Sequence, residues 1–150
     1  MTELNVRAAE VEDVPALLPL MDAHARYENA AAITNDAKQR LPALVREKRD
    51  NWIFLLQFEG AAIGYAAFNL ATSTWRSERY LHMDCLYIDE SCRGKGGGKL
   101  LFDAGMHLAH SLGMSVMEWQ TPANNHGAIR FYERLGAQHK EKLRFSVAIN

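Results

Sequence analysis

Residues 90–101 read ESCRGKGGGKLL, with Gly94, Gly96, Gly97 and Gly98 crowded around Lys95 just ahead of an apolar stretch. Between a strand and a helix, such a cluster lets the backbone turn with several N–H groups pointing inward, beside the positive end of the helix dipole. A junction of that kind binds a phosphate or pyrophosphate, provided the chain supplies a strand before it and a helix after it. Before it, RYLHMDCLYIDE (79–90) alternates Leu81, Met83, Cys85 and Tyr87 with His82, Asp84, Leu86 and Ile88, which predicts a strand with both faces partly covered. After it, Leu101, Ala104, Leu108 and Leu112 fall on one helical stripe, and Gly113 is a natural stop. MSVMEW (114–119) predicts the next strand. Strand, glycine loop, helix and strand form a right-handed βαβ crossover if the two strands pair in parallel.

The flanking sequence supplies the other layers. LNVRAA (4–9) predicts a first strand. VEDVPALLPLMDAHARYENA (11–30) opens with Glu12 and Asp13, acids suited to a helix N-terminus, and spaces Val14, Leu17, Leu18 and Met21 as a helix does; a second helix follows over 35–49. NWIFLLQFE (51–59) and AAIGYAAFNLA (61–71), joined at Glu59-Gly60, predict a hairpin, and TSTWRSE (72–78) is a polar link. NHGAIRFYERLG (125–136) predicts a last helix with Ala128, Phe131, Tyr132 and Leu135 on one face, and KLRFSVAI (142–149) a last strand. With no repeat, low-complexity tract or Pro/Ser-rich linker, residues 1–150 are expected to form a single domain.

Composition removes several classes of function. Apolar residues at 48% and charged residues at 23% fit a soluble globular chain, and no run approaches the roughly 18 apolar residues of a membrane span. A net charge of −1 offers no general basic field for nucleic acid. The N-terminal MTELNVRAAEVEDV lacks a basic segment followed by an apolar one, and Cys85 and Cys92 fit free thiols, so a cytoplasmic location is expected.

Three phosphate-binding designs compete for the loop. A Walker A loop fails twice, because Arg93 falls at its first glycine position and Leu100 stands where a hydroxyl must reach magnesium. A dinucleotide fingerprint would put Lys99 or Leu101 at its third glycine, and it normally follows the first strand of a sheet, not one in mid-chain. The third design fits without a gap: Arg93-Gly94-Lys95-Gly96-Gly97-Gly98 matches [QR]-x-x-G-x-[GA], and NNHGAIRFYERLGA (124–137) carries Asn125, Ala128, Tyr132 and Gly136 in the register N-x-x-A-x-x-x-Y-x-x-x-G. In these two motifs and their order the chain resembles the GNAT superfamily of acetyl-CoA-dependent N-acetyltransferases.

The resemblance implies an α+β fold: a mixed, mostly antiparallel central sheet of six to seven strands, splayed between the fourth and fifth (here 79–89 and 114–119), with about four helices. It implies acetyl-CoA as co-substrate and no metal. The backbone of Leu86, Tyr87 and Ile88 would pair with the pantetheine arm, while Arg93, Gly94, Lys95, Gly96, Gly97, Gly98 and Lys99 cradle the pyrophosphate and Asn125 completes the cofactor set. Tyr132 occupies the position of the general acid that protonates the departing thiolate. Asp84 is the candidate base or amine anchor, and the Leu86 N–H the donor to the thioester oxygen.

For the acceptor, AHARYE (23–28) and STWRSERYLHMDCLYI (73–88) resemble segments of the diamine (spermidine/spermine-type) branch, with Asp84-Cys85 in place of two adjacent carboxylates. This makes Glu28, Trp75 and Asp84 the candidate substrate-binding residues and a primary amine of a small cationic molecule the expected acceptor: a polyamine, a diamine or a thialysine-like amino acid. The alternatives are an aminoglycoside or protein N-acetyltransferase, or a non-catalytic acyl-CoA-binding module. A homodimer is expected by analogy, with no nucleic-acid or membrane partner. His107 and His110, three apart on the predicted helix, give only two metal ligands and read as surface residues, while His82 and His126 lie near the proposed site without an assigned role.

Overall fold

The computed structural model describes residues 3–150. The chain forms two compact units, Met1–Trp119 and Gln120–Asn150. In the first, β1 (Leu4–Ala8), α1 (Val14–Tyr27), α2 (Asn35–Arg46), β2 (Asn51–Phe58), β3 (Ala61–Ser73), β4 (Glu78–Ile88), α3 (Gly97–Ser111) and β5 (Met117–Trp119) follow in order. The strands make one sheet in the order β1-β2-β3-β4-β5, antiparallel except for the parallel β4–β5 pair. The second unit holds α4 (His126–Arg134), and residues 137–150 have no regular secondary structure.

Local chemistry accounts for most boundaries. Thr34 caps α2 by accepting from the Ala37 N–H at 3.1 Å. Arg7 of β1 makes a bidentate pair with Asp13, two bonds of 2.7 Å, which ties the first strand to the entry of α1. That pairing holds the Asp13 carboxyl down to about 2. The β2–β3 hairpin turns at Glu59 and Gly60, both with positive φ (50° and 82°), the twist that a two-residue hairpin needs.

Successive strand residues serve opposite layers. Leu55 packs with Leu17 and Leu20 of α1 and Leu41 and Val45 of α2, together with Tyr65 and Tyr87. Leu56 turns to the other face, where it meets Gly97 at the start of α3. The face that α3 buries is Leu101, Phe102, Gly105 and Ala109, while Leu112 of the predicted stripe is 37% exposed. Gly105 explains the rotation: a Cβ there would stand 2.4 Å from the Phe68 ring and 3.1 Å from the Met117 sulfur, so the helix approaches through its small residues.

The sheet has five strands among the described residues, not six to seven. The predicted strand at 142–149 is absent because alternation provides a strand pattern but no neighbour to pair with. The expected splay has a visible basis. β4 pairs with β5 only from Leu81 to Met83, then runs on to Ile88 beyond the end of that ladder.

Candidate functional site

The glycine loop joins the end of β4 to α3 through a short helical turn at Glu90–Cys92. Gly94 and Gly96 have φ of 80° and 88°, so both are required by backbone conformation, with open space where a Cβ would stand. Gly97 is required by packing: a Cβ there would lie 2.5 Å from the Leu56 tip and 3.3 Å from that of Ile88. The first bond of α3 runs from the Leu100 N–H to the Gly96 carbonyl, which leaves the amides of Gly97, Gly98 and Lys99 ahead of the helical ladder. These amides form an anion cradle of the kind a pyrophosphate fits.

The cationic side chains of the loop are engaged within the protein. Arg93 Nε donates to the Ile88 carbonyl at 2.9 Å, and the guanidinium lies over Tyr27 (4.5 Å) and Tyr87 (5.4 Å). Lys95 stands over the Phe58 ring at 4.7 Å, and Lys99 pairs with Asp103 at 2.7 Å. Arg93 thus pins the loop to the end of β4 and to α1.

One irregularity in β4 shapes the neighbouring edge. In the pairing with β3, Cys85 faces Ala67 and Met83 faces Phe68, so Asp84 is an extra residue at a bulge. The bulge changes which face follows. Met83, opposite Phe68, belongs to the α3 layer, whereas Cys85 and Tyr87 pack in the α1–α2 layer. It also sets the backbone. Asp89 N–H donates to the Ile63 carbonyl at 2.8 Å, so the alternation of the ladder turns the Tyr87 groups toward β3 and those of Leu86 and Ile88 toward the side that β5 has left. Of the three residues expected to face a pantetheine arm, Leu86 and Ile88 have that orientation and Tyr87 does not.

Asp84 is exposed, and its carboxylate accepts from the Cys85 thiol at 3.6 Å. Burial, and then the Asp84 charge, pushes that thiol up to about 12, so it stays protonated. Cys85 is in turn hydrogen-bonded to the Tyr65 hydroxyl, which burial also raises above its ordinary value. Tyr65 Oη lies 2.7 Å from His24 Nδ1, and His24 Nε2 lies 2.7 Å from Glu28 Oε2. Since the Glu28 carboxylate only accepts, Nε2 carries a proton, and the single Tyr65 hydroxyl proton goes either to Nδ1 of the neutral ring or to the Cys85 sulfur. The imidazole stacks on Tyr87, centroids 5.0 Å apart at 21°. Glu28 and Asp84, both exposed, therefore sit at the two ends of one network. His24 and Tyr65 were not singled out from sequence, because they meet across 41 residues. The signal available was AHARYE itself, where His24 and Glu28 stand four apart on a helix.

Trp75 is not part of this cluster. It is 97% exposed in the turn that joins β3 to β4, while Tyr87 stands nine residues beyond Glu78, roughly 30 Å along the strand. In the second unit, Asn125 caps α4 by accepting from the Ala128 N–H at 3.1 Å, and the Tyr132 ring meets that of Phe131 at 5.2 Å. His107, His110 and His126 are exposed and His82 half-buried. Among the described residues, no group of three or more His, Cys, Asp or Glu is placed to hold a metal ion. An open groove of about 610 Å³ between β1–β2 and α3, lined by Val6, Phe54, Leu100, Asp103 and His107 among others, contains none of the residues expected to act.

The model of the acetyltransferase (GNAT) family matches residues 18–137. The N-acetyltransferase YhfO of Bacillus subtilis is 26% identical over 133 residues, 89% of each chain. The spermine/spermidine N(1)-acetyltransferase of the same organism is 32% identical over 94 residues, 61% of this chain and 62% of that one. Among solved structures, the aminoglycoside N-acetyltransferase AAC(6′)-Iy in complex with CoA is similar in fold, with a TM-score of 0.84 and 16% identity over 99% of this chain and 96% of that chain.

Proposed function

The chain belongs to the acetyltransferase (GNAT) family and is an N-acetyltransferase, and from that premise we propose that it uses acetyl-CoA to acetylate a primary amine of a small cationic molecule. Bound acetyl-CoA supplies an activated acyl group. The amides of Gly97, Gly98 and Lys99 hold its pyrophosphate, and the outward groups of Leu86 together with the Ile88 N–H receive its extended arm, the Ile88 carbonyl already accepting from Arg93. The Leu86 N–H stabilises negative charge developing on the thioester oxygen.

The observation that carries the amine reading is the pair of exposed carboxylates, Asp84 and Glu28, linked through Cys85, Tyr65 and His24. A protonated alkylamine is neutral in only about one molecule in 10³ at pH 7, so the proton must leave before the lone pair can attack. Asp84, projected by the bulge, anchors the ammonium and takes its proton directly or through water. Glu28 binds a second positive charge, which favours diamines and polyamines over singly charged amines. Tyr132 of α4 donates the proton that the departing thiolate requires. Residues 1–150 act as a single acetyltransferase domain, and the substrate is a free small molecule.

Acetyl-CoA mixed with a panel of diamines, polyamines, amino acids, aminoglycosides and lysine peptides tests the reading by release of free thiol. Release with dicationic amines above all others is expected. If acetyl-CoA raises the thermal midpoint while no amine gives release above background, the chain is an acyl-CoA-binding module and the proposal fails.

A further inference from the structure

His24 lies on a path of side chains between two carboxylates, and counting the protons on that path singles it out. The path has four contacts: Glu28 with His24 Nε2 (2.7 Å), His24 Nδ1 with Tyr65 Oη (2.7 Å), Tyr65 with Cys85, and Cys85 Sγ with Asp84 (3.6 Å). The end carboxylates only accept, so the three groups between them must supply a proton to each contact. Burial keeps the Tyr65 hydroxyl and the Cys85 thiol protonated. A neutral imidazole then leaves three protons for the four contacts, and the Tyr65 oxygen faces one of its neighbours with no hydrogen between them. A second ring proton fills the gap: Nδ1–H donates to Tyr65, Tyr65 to the Cys85 sulfur, and Cys85 to Asp84.

The path thus accepts both charge states of the ring, and an imidazole is the side chain that changes charge near neutral pH. The His24 side chain is only 13% exposed, against 38% for Glu28, so a ligand that reaches Glu28 from solvent meets the charge of the ring without touching it. The surrounding elements bring other groups. Tyr87 of β4, on which the imidazole stacks, also carries the Arg93 guanidinium at 5.4 Å and the Tyr27 ring of α1 at 6.1 Å, while Asp22 of α1 is paired with Lys38 of α2. Glu28 is the acid bonded directly to the ring, and its net charge together with the ring is −1 or zero according to the proton on Nδ1.

We propose that His24 is a positioning residue that sets which charge class of acceptor is preferred: with the ring neutral, Glu28 is open to a second ammonium, and with the ring protonated, Glu28 is engaged in an internal ion pair. The inference rests on the reading of Glu28 as the site of the acceptor's second charge. A proton on the ring and a second ammonium compete for one carboxylate, so dicationic acceptors gain preference as pH rises, and their binding expels a proton. A singly charged amine held at Asp84 meets no such competition, because the Cys85 thiol donates to Asp84 in either state of the ring.

The test sets diaminobutane against butylamine in one mixture with acetyl-CoA and the full chain, and reads the ratio of the two acetylated products by mass spectrometry from about pH 5.5 to about pH 8. The ratio is expected to rise about five- to tenfold in favour of diaminobutane, the effect of one unit charge roughly 7 Å away at an effective dielectric of about 40. His24→Gln, whose amide N–H reaches toward Glu28 without titrating, should hold the ratio near its high-pH value throughout. In the wild-type chain with coenzyme A bound, the His24 titration followed by NMR should move to lower pH on adding diaminobutane and stay in place with butylamine. A ratio that favours diaminobutane equally at every pH, an unchanged pH dependence in His24→Gln, or an NMR titration that diaminobutane does not move overturns the role of His24 and leaves the Glu28 reading standing. A ratio near one at every pH overturns the Glu28 reading and this proposal with it.

Discussion

Gly97→Ala probes how the anion cradle is positioned. The added methyl would lie 2.5 Å from the Leu56 Cδ2 atom, where carbon atoms prefer about 3.5–4.0 Å. About 1 Å of relief is needed, and Leu56 is fully buried, with 0% exposure. Overpacking of this size costs about 1–3 kcal/mol. If the start of α3 retreats to gain that room, the amides of Gly97 to Lys99 move with it, and a hydrogen bond to a charged oxygen, worth about 1.5–3 kcal/mol, is lost. The dissociation constant for acetyl-CoA, measured by calorimetry, should then rise by roughly 10- to 150-fold. Leu56→Val removes the clashing atom, so Gly97→Ala/Leu56→Val should bind within about threefold of the parent, and Leu56→Val alone should lower stability by about 1 kcal/mol without changing binding. Wild-type affinity in Gly97→Ala would refute the idea that contact with Leu56 sets the cradle, even if the thermal midpoint fell.

Tyr132→Phe should lower turnover by about 10²–10⁴ while leaving acetyl-CoA affinity within about twofold, as turnover and calorimetry will show; unchanged turnover removes its role as proton donor. Cys85, with its thiol raised to about 12, should be alkylated at pH 9 several hundred times more slowly (~500-fold) than a free cysteine, as followed by peptide mass spectrometry. Asp84→Asn should speed that labelling, and no change would mean that the bulge does not bring the carboxylate onto the thiol. Asp13, depressed from 3.8 to about 2 by Arg7, stabilises the fold fully above pH ~4 and loses that contribution as pH falls through 2. The thermal midpoint should therefore drop over that window, and Asp13→Asn should flatten the drop; equal slopes would contradict the ion pair.

What was readable without coordinates was local. Gly94 and Gly96 mark positive φ, Asn125 marks a helix start, Glu59-Gly60 marks a hairpin, and periodicity marks the four helices. Each of these depends on atoms a few residues apart. The βαβ order around ESCRGKGGGKLL follows from the same short-range chemistry, and so does the recognition of its family motif.

The features that required the tertiary structure depend on partners distant in sequence. The bulge at Asp84 arises from the register with β3, and it alone decides that Leu86 and Ile88, not Tyr87, face the open side. Arg93 has the charge to bind a phosphate, but Ile88 and Tyr27 engage its side chain first. His24 and Tyr65 become neighbours only when α1 lies on β3, whereas Trp75 and Glu28, both candidates for one amine, end up along opposite ends of the β3–β4 pair. Residues 142–149 carry the pattern of a strand, yet a strand exists only where another backbone meets it. Sequence alone thus determined which local conformations this chain adopts and which chemistry its loop offers, because both act over a few bonds. Packing decided which side chains are already taken and which backbone groups stay available, because register and contact are properties of pairs of segments.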